Sequence, residues 1–89
     1  MEPKYGKIET SQELGALIRK KRRAVKFRQA DAADFAGVGE RFLSELERGK
    51  STAELGKALQ VLYRFGLEVW IVPRGHQPPE LPPELPHEP

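Results

Sequence analysis

The residues with the plainest chemistry are cations. Between Arg19 and Arg28 seven side chains are basic and none is acidic: Arg19, Lys20, Lys21, Arg22, Arg23, Lys26 and Arg28. Such a cluster attracts phosphates or anionic lipid headgroups, or it is the solvated face of a helix. The net charge of +2 conceals its setting. All fifteen Lys and Arg lie between Lys4 and Arg74, whereas Glu80, Glu84 and Glu88 lie in a terminal stretch without Lys or Arg, so residues 1–75 carry a surplus of five positive charges. Catalytic residue types are scarce. No cysteine is present, which removes disulfides, thiolate zinc ligands and a cysteine nucleophile. The two histidines, His76 and His87, stand among prolines, and no acid pair is held on a rigid scaffold. An enzyme is not expected, nor a cofactor; metal binding by those two histidines is the remaining alternative.

The elements that must position the cations come next. Eighty-nine residues make one small domain, and six of the eight prolines fall in the last fourteen. No apolar run approaches the roughly 18 residues of a membrane span, and the N-terminus is too polar for a signal peptide, so a soluble, cytoplasmic chain is expected. Residues 1–9 read as a flexible arm. Thr10-Ser11-Gln12-Glu13 is a capping box. Leu14, Leu17, Ile18 and Val25 follow at helical spacing, so a first helix is expected over 11–25, its other faces carrying most of the basic cluster. Its apolar face is needed for a core, which counts against a membrane-surface role.

A short alanine-rich helix is expected over 29–36, with Ala32, Ala33, Phe35 and Ala36 available for packing. Gly37-Val38-Gly39 interrupts it, and a third helix runs over 40–48 until Gly49. Ser51-Thr52-Ala53-Glu54 reads as a second capping box, followed by a fourth helix with Leu55, Ala58, Leu59 and Leu62 that ends before Gly66. The period then changes. Leu67, Val69, Trp70, Ile71 and Val72, with Glu68 between, read as a strand that Pro73 ends. A lone strand cannot satisfy its own backbone groups. It either pairs with a symmetry mate, making residues 67–73 a dimerisation strand, or docks as an extended segment on the helices. Residues 74–89 contain Pro-Pro-Glu-Leu twice and read as a disordered, proline-rich acidic tail, passive or a recognition motif for a partner.

The two short helices around Gly37 fit a helix-turn-helix. With Gln29 as the first of twenty positions, the fifth, where the helices cross closely, is Ala33, and the ninth, where the chain turns through positive φ, is Gly37. The positions expected to be buried fall on Ala32, Ala36, Val38, Leu43 and Leu46, and all are apolar. Such a pair places its second helix in a major groove.

The stretch Leu14-Gly15-Ala16-Leu17-Ile18-Arg19-Lys20-Lys21-Arg22-Arg23, then Gln29, Gly37-Val38 and Leu43-Ser44-Glu45-Leu46-Glu47-Arg48-Gly49 resembles the Xre/Cro-type helix-turn-helix family over about residues 12–62. The resemblance implies a mainly all-α, lambda-repressor-like domain of four to five helices, here residues 10–66. It also implies that Arg22 pairs with Glu47, tying the first helix to the recognition helix as a structural pair. Three positions depart from the family pattern. Arg28 stands where Thr is common, Lys26 where Gly or Asn closes the first helix, and Gly39 where Ser or Thr caps the recognition helix.

The region Phe42–Lys50, with Leu55–Leu62 and the strand after them, is similar to the HipB-like antitoxin branch. That likeness implies strand pairing across a homodimer, a HipA-type Ser/Thr kinase toxin as partner, and repression of the pair's own operon. Expected base contacts are Gln29, Glu40, Arg41, Phe42, Ser44 and Glu45, with Arg41 the best candidate for guanine. Phe42 either meets a thymine methyl or tucks under the second helix, and Glu45 either accepts from a cytosine amine or orients its neighbours. Expected phosphate contacts are Lys26, Arg28, Gln29, Arg48 and Lys50. The operator would be double-stranded DNA with an inverted repeat. A stand-alone repressor, or an interaction module that has lost DNA binding, remain the alternatives.

Overall fold

The computed structural model describes residues 6–75. Among them are four helices and no strand: α1 (Ser11–Ala24), α2 (Gln29–Ala36), α3 (Glu40–Glu47) and α4 (Leu55–Arg64). The start of α1 follows from its residues. The Thr10 hydroxyl accepts from the Glu13 amide at 3.0 Å, and the Glu13 carboxylate accepts from the Thr10 amide at 3.1 Å. α2 ends at Gly37, whose φ of 76° reverses the chain into the turn before α3.

The core lies where α3 meets α1 and α2, with α4 packed on α2. Ile18, Leu43 and Val61 are its largest fully buried side chains, joined by Ala32, Ala33, Ala36, Leu46, Ala58, Leu62 and Phe65. Of the positions expected to be buried in the α2–α3 pair, Ala32, Ala36, Leu43 and Leu46 are buried, and Val38 is partly buried against the same cluster. Gly15 brings α1 and α3 together. A Cβ there would stand 2.6 Å from the Glu47 carbonyl oxygen, so only glycine permits this crossing. Gly49, at φ 86°, lets the end of α3 fold onto the start of α1, where the Ser11 hydroxyl donates to the Gly49 carbonyl at 2.8 Å.

Several expectations fail on packing grounds. The second capping box does not form. Ser51 and Thr52 are spent on a turn, and Glu54 itself caps α4 by accepting from the Lys57 amide at 2.7 Å. Of the residues whose spacing indicated the fourth helix, Leu55 and Leu59 are exposed, and α4 buries Ala58, Val61 and Leu62. With Tyr63 they form an outer apolar stripe, one residue per turn. Val25 and Phe35, assigned to packing faces, are about half exposed at 47% and 52%.

Residues 67–73 belong to no helix and no strand in the single chain. Leu67 packs on the core, whereas Val69, Trp70 and Ile71 are exposed, Ile71 at 94%. Of the arm expected over 1–9, residues 1–5 lie outside the described residues, as does the tail from His76 onward. No described helix is long and apolar enough to cross a membrane.

Candidate nucleic-acid interface

The site is built on α3, and its inner face explains its outer one. Glu47 lies on the buried side, its side chain only 3% exposed. The Arg22 guanidinium meets it with two bonds, Nε to Oε2 at 2.6 Å and Nη2 to Oε1 at 2.9 Å. This fork geometry is the strong form of a carboxylate pair. Arg22 Nη1 also donates to the Phe27 carbonyl at 2.8 Å, so one side chain ties α1, the loop before α2, and α3. The hydrogen bond to Glu47 holds the Arg22 pKa above its ordinary value, against the opposing effect of burial.

Gln29 joins the same network: its Nε2 donates to Glu47 Oε1 at 3.1 Å. The first residue of α2 is thus oriented by the pair that anchors α3. Its side-chain carbonyl and second N–H stay available for a partner. Gln60, which sequence reasoning missed, plays a related part on the other side. Its Nε2 donates to the carbonyls of Ala36 (2.7 Å) and Gly37 (3.2 Å), closing the end of α2 from α4. Only the tertiary fold brings residue 60 to residue 37, so no local motif marks it.

The outer face of α3 is open. Glu40 and Arg41 are exposed, and Ser44 and Glu45 are partly so. Glu45 is a hub, with Lys50 Nζ at 3.1 Å and Arg41 Nε at 3.5 Å. The Lys50 hydrogen bond, with the charges of Lys50 and Arg41, lowers the Glu45 pKa below the ordinary carboxylate range. These pairs are therefore intact above that range and are lost as the pH falls through the lowered value. Phe42 is partly buried against the core, and Lys57 Nζ of α4 stands 5.7 Å from its ring centroid. Its packing partners include α4, an arrangement neither sequence alternative contained.

The cations expected to meet phosphates are spread over three elements. Arg28, immediately before α2, pairs weakly with Asp31 at 3.2 Å with both side chains exposed. Lys26 has φ 63°, a left-handed backbone at a residue with a Cβ, where glycine or asparagine would sit without strain. Arg48 caps the end of α3 and is exposed, as is Lys50. Neither Arg28 nor Gly39 gives its helix a side-chain cap, so the first amides of α2 and α3 lack one. Among the described residues there is no cluster of side chains suited to a metal ion.

No family model matches the chain. An uncharacterized HTH-type transcriptional regulator, y4mF of Sinorhizobium fredii, is 44% identical over 71 residues, covering 80% of this chain and 93% of that one. Among solved structures, a HipB–O4 20mer complex superposes with a TM-score of 0.71 at 17% identity, covering 79% of this chain and 99% of the other. A HipA–HipB–O2–O3 complex does so with a TM-score of 0.70 at 17% identity and the same coverage. The structural likeness establishes a HipB-like fold with four helices. The close sequence relative, matched over nearly its whole length, settles the family. The chain belongs to the HTH-type transcriptional regulators.

Proposed function

We propose that the chain is a sequence-specific DNA-binding repressor that reads an inverted-repeat operator as a homodimer. One observation carries this: the recognition helix is tethered from its inner side, by Gly15, Arg22 and Gly49, while Glu40 and Arg41 stand exposed on its outer face. A rigid helix with an open polar face suits insertion into a major groove. Arg41 reads guanine, with Gln29, Glu40, Phe42, Ser44 and Glu45 as further base contacts. Lys26, Arg28, Gln29, Arg48 and Lys50 hold phosphates. The Arg41–Glu45 pair does not oppose this role. A solvent-exposed pair of this kind is weak, and a bidentate contact to guanine outweighs it.

The dimer forms through residues 67–72, whose Val69, Trp70 and Ile71 are exposed in the single chain. The finer role we infer is that of an antitoxin that neutralises a HipA-type Ser/Thr kinase toxin. It is supported by the likeness to a HipB chain solved with HipA. Surfaces away from α3 serve that partner.

A gel shift with DNA upstream of the chain's own gene tests the reading. Binding is expected to weaken about 10³-fold or more between 50 and 200 mM salt, as released counterions demand. Arg41→Ala is expected to relax sequence preference more than it weakens nonspecific binding. Absence of any shift leaves an interaction-only module. Co-purification with a kinase encoded beside the gene separates an antitoxin from a stand-alone repressor.

A further inference from the structure

At the end of the bundle formed by the C-termini of α1 and α4, a groove of about 250 Å³ is lined by Lys21, Val25, Phe27, Phe35, Arg64 and Phe65. Its floor is aromatic. Phe27 and Phe35 meet edge-on with centroids 5.6 Å apart, and Phe35 lies 6.4 Å from Phe65. Its rim is cationic, with Lys21 on α1 and Arg64 on α4. Among the described residues neither has a carboxylate partner. Aromatic floors between charged rims receive polyproline II segments, which lose little entropy on docking.

The chain supplies such a segment. In polyproline II, with three residues per turn, Pro79, Pro82 and Leu85 share one wholly apolar face. The two flanking faces carry Glu80 and Glu84. The length of the chain also allows it. Residues 67–73 leave Gly66 at the groove and span at most about 23–25 Å. Arg74–Gly75 then form a turn, with Gly75 at φ 85°. A returning polyproline II segment covers the same length in about eight residues. The stretch from Pro79 to Leu85 is therefore long enough to reach the groove.

We propose that residues 79–85 of the chain dock in this aromatic groove, with Pro79, Pro82 and Leu85 on the phenylalanines and Glu80 and Glu84 at Lys21 and Arg64. The chain lacks cysteine, so Glu88→Cys accepts a single nitroxide in the full-length protein. Its label is expected to broaden the amide resonances of Phe35, Phe65 and Gly66 selectively. Adding Pro82→Ser with Leu85→Ser is expected to abolish that selectivity, while Leu81→Ser, on a different face, preserves it. Uniform weak broadening, or selective broadening that survives the double substitution, overturns the proposal. So does broadening of an isotope-labelled chain by nitroxide on unlabelled copies alone, which would assign the groove to the tail of a second molecule.

Discussion

Glu47 shows how much one residue can decide. A carboxylate this buried is tolerable only because Arg22 meets it with two bonds and Gln29 adds a third. Removing one partner of such a pair leaves a charge with no partner, which costs about 3–5 kcal/mol. Glu47→Ala is therefore expected to destabilise the domain by that amount, measured by urea unfolding. A loss below about 1 kcal/mol would mean that Arg22 finds solvent instead. Lys26 offers the opposite case. Its left-handed backbone costs about 1–2 kcal/mol, part of which glycine returns in unfolded-state entropy. Lys26→Gly is expected to stabilise by about 0.5–1 kcal/mol. It also tests a phosphate contact, because losing one lowers the salt slope of DNA binding by about 1. A gain in stability with an unchanged slope would remove Lys26 from the interface.

Elements were legible in proportion to how local their causes are. The Thr10–Glu13 box and the Gly37 turn need only neighbouring residues, and both form as the sequence indicates. The spacing from Ala32 to Leu46 was readable because one face alone is apolar. α4 was not, because Leu55, Leu59 and Tyr63 make a second apolar stripe beside Ala58, Val61 and Leu62, and periodicity does not say which stripe is inward. Ser51–Thr52 mimicked a cap, yet Glu54 sits one residue before the helix and does that work. Gly15 and Gln60 carry no local signal at all, since each acts on an element more than twenty residues away. The Gly15 crossing makes a measurable demand. Alanine gains about 1 kcal/mol of helix propensity but forces a Cβ against the α3 backbone, where overpacking costs about 1–3 kcal/mol and a backbone neighbour cannot rotate aside. Gly15→Ala is expected to destabilise on balance and to weaken operator binding through a displaced α3. Equal or greater stability in thermal unfolding would show that the helices separate freely.

For the whole molecule, the apolar residues left outside matter as much as those within. Leu59 and Tyr63 on α4 and Trp70 and Ile71 beyond it are too many exposed hydrophobics for a chain with so small a core to leave unused. A dimer built on residues 67–72 makes a concrete demand. Ile71→Lys is expected to halve the mass seen by sedimentation. Operator affinity should then fall by about 10²-fold or more, because the two half-sites no longer bind as one ligand. An unchanged mass with unchanged affinity would remove residue 71 from the interface.

The inward tethering of α3 also bears on how such regulators diversify. Gly15, Arg22, Glu47 and Gly49 hold the helix without using any residue of its open face. Glu40, Arg41 and Ser44 can then change while the scaffold stays the same. If that face reads DNA as proposed, it is an exchangeable cassette, and a new operator requires rewriting only a few letters on it.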